Sequence, residues 1–325
     1  MLSPYFTTPY FTTKEFARES NNEGNGPLMQ MLLSGLLDNH RRLRFFWRAV
    51  LFVAAGTWLV SPLLDRLFAP WMQASPGEMP PGLVAAGEFQ LLLTALICVL
   101  PFALYERRRP DAYGLPVERV LGRPLWEGIA AGVALAGFVA VGMLSLGGMQ
   151  VRGLASGGAS LAVSASLWLG TNILIGLGEE YWYRGYLLQA LWRSLGFWPG
   201  ALLVAALFTA DHYFYKPGEN IWDVITLVSL SLVMSYSVLK TGTLWFAVGF
   251  HLAFDYMQLF VIGTPNGGRL PVGRMLDVTF QGPAWLTGGV LGTEASFLMY
   301  PAIALLWLYV WWRFRPAAAT IGAPP

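Results

Sequence analysis

Three short clusters hold nearly every ionisable side chain that this chain sets deep in apolar sequence. Glu179 and Glu180 are followed by Arg184, His212 lies one helical turn after Phe208, and His251 is followed one turn later by Asp255. Two of the chain's three histidines belong to this set. A charged side chain in the middle of a hydrocarbon span costs roughly 2.5–3.5 kcal/mol on insertion scales, so charges kept there are candidates for function. Carboxylates beside imidazoles suit the activation of a water. The carboxylate serves as general base, and the imidazoles position the water or stabilise developing charge.

Helix geometry separates the roles. Glu180 and Arg184 are four apart and share a face, so they can pair. The plainer reading of that pair is a buried salt bridge that fixes helix packing. Glu179 projects about 100° away from Glu180 and has no cation near it in sequence, which leaves it free to act as a base. His212 taken alone reads as a satisfied core imidazole, and only its company argues otherwise. Asp255 can hold one ring nitrogen of His251 and leave the other free, as in many catalytic and metal-bound imidazoles. Asp211 points about 100° from His212 and receives no role. The stripe Phe246, Phe250 and Phe254 reads as core. Glu179, His212 and His251 could together bind zinc with a position left open for water. No His-Glu-x-x-His pair anchors such a metal, so the preferred reading has Glu179 as the base and no required cofactor.

These clusters need apolar helices to hold them. The 325 residues are 55% apolar and 12% charged, where soluble chains carry about 25% charged residues. That excludes an ordinary soluble domain and gives the fold class as all-α, a polytopic membrane protein. The single Cys98 permits no disulfide within the chain. Several of the fourteen tryptophans sit near the ends of apolar runs, as an interfacial belt would. At about 20 apolar residues per span, eight spans are predicted: 49–65, 84–105, 126–147, 168–191, 198–217, 221–240, 243–263 and 295–313. The clusters fall in the fourth, fifth and seventh, at overlapping depth, which a shared membrane-embedded polar cavity requires. Gly128 and Gly132 give the third span a small-residue face for helix packing. The segment 263–294, rich in Gly and Pro, is expected to lie outside the bilayer or to fold over the helices.

The chain divides into a polar cytoplasmic tail (1–44), two transmembrane helices (45–124), a core that carries the clusters (125–315) and a short C-terminal tail (316–325). The first tail contains an imperfect duplication, 4–8 against 9–13, and an apolar stretch at 29–37 that is too short to span. That stretch suits a helix lying on the membrane surface, and its acidic flank argues against a secretory signal. Fifteen Lys and Arg fall in segments on the amino-terminal side and five on the other. The excess of positive charge predicts both termini in the cytoplasm.

Taken together, Glu-Glu-x-x-x-Arg at 179–184, Phe-x-x-x-His at 208–212 and His-x-x-x-Asp at 251–255 resemble the signature of the CAAX-protease and bacteriocin-processing (ABI) family of intramembrane endopeptidases. That family includes the type II CAAX prenyl endopeptidases. The resemblance covers residues 125–312, and the stretch 282–296 is also similar to bacterial members. It implies eight helices around a membrane-embedded cavity. It implies Glu179 as the carboxylate that activates water, Glu180 and Arg184 as holders of the geometry, and His212 as the group that positions the water. His251 and Asp255 would stabilise the oxyanion. Members carry Asn or Asp at the last position. An ionised Asp cannot donate to an oxyanion, so Asp255 is expected to polarise His251 instead. The family has been described both as metalloprotease-like and as glutamate-dependent, so zinc on Glu179, His212 and His251 stays open beside the metal-free base.

The expected activity is therefore hydrolysis of a peptide bond in a membrane-associated protein or peptide, in contact with the lipid bilayer and without nucleic acid. The short loops resemble bacterial members, which places the chain in the bacterial cytoplasmic membrane. Two other readings stand beside this one. A transporter or channel also buries ionisable residues, but it would show inverted repeats, and no internal repeat is visible among the spans. A non-catalytic immunity or scaffold protein could keep the same fold.

Overall fold

The computed structural model describes residues 33–314. The duplication at 4–13, residues 29–32 of the surface-helix stretch and the tail 316–325 lie outside the described residues, and residues 33–36 are helical. Helices fall at all eight predicted places. They are α1 (Phe45–Trp71), α2 (Pro81–Glu106), α3 (Arg123–Ser145), α4 (Gly158–Leu195), α5 (Phe197–Tyr215), α6 (Ile221–Thr241), α7 (Trp245–Ile262) and α8 (Met299–Arg313). This is an all-α polytopic membrane fold with little sheet.

Among the described residues, six of these helices are long and apolar enough to cross a membrane, not eight; α5 and α8 fall short. The sequence of α5 ends in Ala-Asp-His-Tyr-Phe-Tyr, and those polar groups lower its mean hydropathy. With 15 residues, α8 is about 22 Å long at 1.5 Å per residue, short of the roughly 30 Å hydrocarbon core. Both still run from one end of the bundle to the other, because the contacts at the two ends alternate.

One end gathers the start of α1, the α2–α3 and α6–α7 loops and the α4–α5 turn. There Arg48 Nη1 meets Glu106 Oε1 at 3.1 Å, Arg193 Nη1 stands 3.8 Å from Glu106 Oε2, and the Leu244 amide donates to the Gly114 carbonyl at 2.7 Å. The end of α8 joins them, with Arg313 Nη2 at 2.6 Å from Glu127 Oε1. The opposite end carries four short strands. β1 (Glu78–Met79) pairs in parallel with β3 (Leu270–Pro271), and β2 (Met149–Leu154) pairs antiparallel with β4 (Leu276–Phe280). The 263–294 segment thus folds over the helix ends, one of the two placements expected, and β3 and β4 give it short stretches of strand. Pairing satisfies its backbone without lipid contact, and the Trp168 indole ties it to α4 by donating to the Val272 carbonyl at 2.9 Å.

The small-residue face of α3 acts as predicted. A Cβ on Gly128 would collide with the Phe246 carbonyl oxygen, and one on Gly132 with the Phe250 carbonyl oxygen. Gly249 makes the reciprocal approach to the Leu125 carbonyl. This close contact fixes α7, which carries His251 and Asp255. Phe246, Phe250 and Phe254 are buried, as a core stripe requires.

α4 extends beyond the predicted 168–191 at both ends, so Glu179 sits near its middle. The helix widens to a π turn over Tyr181–Leu187, with Gly185 leaving helical dihedrals at φ −71°, ψ −111°. Such wide turns are rare and concentrate at functional sites. Glu179 and Glu180 stand at the edge of this one, and Arg184 lies within it.

Candidate active site

The imidazole of His251 is the hub of the site. Its Nδ1 lies 3.0 Å from Glu180 Oε1. A carboxylate accepts, so Nδ1–H donates. Its Nε2 stands 3.6 Å from Glu179 Oε2 and 3.5 Å from Asp255 Oδ2. Glu180, rather than Asp255, is therefore the carboxylate that orients the ring. The second nitrogen faces two further carboxylates at distances too long for a normal hydrogen bond.

The predicted Glu180–Arg184 pair is present. Arg184 Nη1 is 3.2 Å from Glu180 Oε1, and both side chains are 1% exposed. Arg184 Nη2 also donates to Ser231 Oγ of α6 at 2.8 Å, and the guanidinium lies 4.7 Å from the Phe208 ring centroid. One guanidinium thus ties α4 to α5 and α6 directly behind the site. Glu179 differs from its neighbour. Its Oε2 is buried and has no hydrogen-bond partner, an acceptor held in place without a donor.

His212 packs on Phe208 with ring centroids 4.4 Å apart, and its Nδ1 meets the Phe208 carbonyl at 3.0 Å. A carbonyl only accepts, so Nδ1–H donates, and in the neutral imidazole Nε2 is left as an acceptor. Asp211, given no role from sequence, accepts from the Tyr183 hydroxyl.

All six candidate residues line one cavity of about 610 Å³. Its wall runs from the middle of α4 and α7 to the strand-bearing end, where Met79, Lys216, Asn266 and Glu294 contribute. Three features of this wall escaped the sequence reading. Glu88 of α2 lines the cavity; its signal was a lone carboxylate inside a span. Tyr183 and Asp211 form a pair across helices, which no spacing within one helix reveals. Lys216, at the end of α5, binds Glu294 Oε2 at 2.7 Å, with Glu219 and Asp223 oxygens at 3.7 and 3.9 Å. Burial opposes ionisation of Glu294, but the Lys216 ammonium outweighs it and holds the carboxyl below its usual range. Burial also works against the Lys216 charge, and Glu294 and Asp223 more than reverse that, so its pKa is raised.

Zinc would need these same residues to converge on one point. Among the described residues, no group of three or more His, Cys, Asp or Glu could hold a metal ion. Nδ1 of His251 is engaged on Glu180 and Nδ1 of His212 on the Phe208 carbonyl, which leaves the two Nε2 atoms as the ring nitrogens a metal could meet. Glu179, His212 and His251 are not gathered into such a group in this structure.

Known proteins agree with the motifs. Residues 161–257 match the family model described as type II CAAX prenyl endopeptidase Rce1-like. The Rce1-like segment contains all three clusters and points to a CAAX-type intramembrane peptidase. The chain is also similar to the uncharacterized protein YyaK of Bacillus subtilis (strain 168), 28% identical over 130 residues. That alignment covers 39% of this chain and 42% of YyaK, so the chain spans less than half of that relative's length. No solved structure matches.

Proposed function

We propose that the protein is an intramembrane endopeptidase that hydrolyses a peptide bond of a membrane-associated protein or peptide, with Glu179 as general base. The observation that carries this reading is Glu179 Oε2. It is buried without a donor, stands 3.6 Å from His251 Nε2 and lines a cavity of about 610 Å³. A water held against both groups would complete the site. Glu179 takes a proton from that water as its oxygen attacks the scissile carbonyl carbon. The proton then passes to the leaving amine, and Glu179 returns to its carboxylate form. His212 Nε2, free to accept, positions the water. His251 Nε2–H donates to the oxyanion, with the ring fixed by Glu180 and Arg184 on its other side. The ring carries a proton on each nitrogen and Glu180, on Nδ1, polarises it; Asp255 Oδ2, 3.5 Å from Nε2, stabilises the positive charge of the ring and makes no donor of its own. The Rce1-like match and the wide turn beside Glu179 support the assignment. No metal is needed for any of these steps.

The orientation follows from the positive charges. The strand-bearing end carries five basic residues: Arg66, Arg152, Lys216, Arg269 and Arg274. The other end holds most of the rest, so both termini face the cytoplasm of a bacterial cell and the cavity opens on the opposite side of the cytoplasmic membrane.

The test is hydrolysis by purified protein in detergent, run in H₂¹⁸O with a pool of apolar peptides with and without single Lys or Arg residues. The expected result is new carboxyl termini that each carry one ¹⁸O atom. A wild type that cuts nothing in that pool or in native membranes contradicts the reading.

A further inference from the structure

α2 brings into the cavity a carboxylate that belongs to none of the three motifs. Glu88 lies against α4 beside Glu179. A Cβ added to Gly178 would stand 3.5 Å from Glu88 Oε2 and 3.0 Å from the Glu88 carbonyl oxygen. Glycine at 178 is what allows the two helices to approach this closely. Glu88 Oε2 is buried with no hydrogen-bond partner, and it shares the cavity wall with Glu179, His251 and Asp255. A buried carboxylate left unpaired is costly.

The fixed cations of the cavity are committed elsewhere. Arg184 serves Glu180 and Ser231. Lys216 serves Glu294, with Glu219 and Asp223 close by. Glu88, Glu179 and Asp255 come from three helices, α2, α4 and α7, and face the same open volume with the His251 ring among them. Three carboxylates there face a single imidazole, so negative charge is in excess, and an entering substrate can supply the cation that offsets it.

We propose that Glu88 anchors a cationic side chain of the substrate, Lys or Arg, next to the bond that is cut. The enzyme then selects basic segments in otherwise apolar chains. This inference rests on the peptidase reading of the same cavity, and the test separates the two.

Two fluorescent probes of equal length are titrated against the purified full-length protein in detergent: a dansyl-labelled alkylammonium and the corresponding alcohol. The wild type is expected to bind the ammonium about tenfold tighter than the alcohol or better, a difference of about 1.4 kcal/mol. Glu88→Gln keeps the volume and removes the charge, so it should bind the two alike. Glu88→Ala should do the same, and Glu88→Asp should keep most of the preference. Glu118→Gln, in the exposed loop before α3, should behave as wild type. Equal binding by the wild type, or a preference retained in Glu88→Gln and Glu88→Ala, would overturn the proposal. A randomised peptide library reads the same preference in cleavage. Bonds cut by the wild type should be enriched in neighbouring Lys and Arg, and those cut by Glu88→Gln should not. Cutting without that enrichment overturns the anchor. A wild type that prefers the ammonium but cuts no peptide overturns the peptidase reading and leaves the Glu88 site standing.

Discussion

Arg184→Ala removes the guanidinium paired with Glu180, and its cost can be worked from the surroundings. Both side chains are 1% exposed and 3.2 Å apart, so solvent screening gives little relief. Breaking a buried pair by removing one partner costs roughly 3–5 kcal/mol. The lost bond to Ser231 Oγ adds about 1 kcal/mol, and the lost contact with the Phe208 ring adds about 0.5–2 kcal/mol. Glu180 keeps the His251 Nδ1–H bond at 3.0 Å, which offsets part of the total. A net loss of about 3–5 kcal/mol remains. At about 2 °C per kcal/mol for a chain of this size, melting should fall by about 6–10 °C. Intrinsic tryptophan fluorescence during a thermal ramp in detergent reads it, since Trp182 adjoins the site. Arg193→Ala is the control. Its side chain is 25% exposed and 3.8 Å from Glu106, a geometry worth about 1 kcal/mol or less. If Arg184→Ala melts as close to wild type as Arg193→Ala does, the buried pair does not hold this site together.

The Lys216–Glu294 pair predicts a pH dependence. The Glu294 pKa is held down in the fold, so its contribution is complete above the unfolded value of about 4.3 and is lost as pH falls through the folded value. The melting gap between wild type and Lys216→Met should therefore be widest near neutral pH and narrow below about pH 4; a constant gap contradicts the pairing. Gly132→Val should reduce folded yield by overpacking α3 on α7, at about 1–3 kcal/mol, while Gly137→Val, on the open side of α3, should not; equal yields contradict the packing. On a Cys98→Ala background, Asn266→Cys should react with impermeant thiol reagents in intact cells and Glu118→Cys only after permeabilisation, and the reverse pattern inverts the orientation.

Much of this site is legible in the residues themselves because helical spacing is local. Glu180 and Arg184 at four apart predict their own pairing, and Gly128 and Gly132 predict a helix contact. The overlapping depth of Glu179, His212 and His251 predicts a shared cavity. What spacing cannot give is the rotation of one helix against another. Asp255 is one turn from His251 in sequence, yet Glu180, 71 residues away, takes Nδ1. Glu88 and the Tyr183–Asp211 pair depend on the same rotations. The 263–294 segment reads as loop because its strands are short and rich in turn residues, and their partners β1 and β2 lie far away in sequence. The count of eight spans treats length and hydropathy as sufficient. α5 spends part of both on the polar residues that the site needs.

The central claim, that Glu179 is the base, is tested most directly by the cleavage rate of Glu179→Gln in the ¹⁸O assay. The substitution preserves volume and removes the basic oxygen that now lies 3.6 Å from His251 Nε2. The rate should fall by about 10²–10⁴-fold, while the protein stays in the membrane fraction and melts within about 2 °C of wild type, less than 1 kcal/mol by the same conversion. Cleavage at a near-wild-type rate would remove Glu179 from the chemistry and with it the mechanism proposed for this cavity.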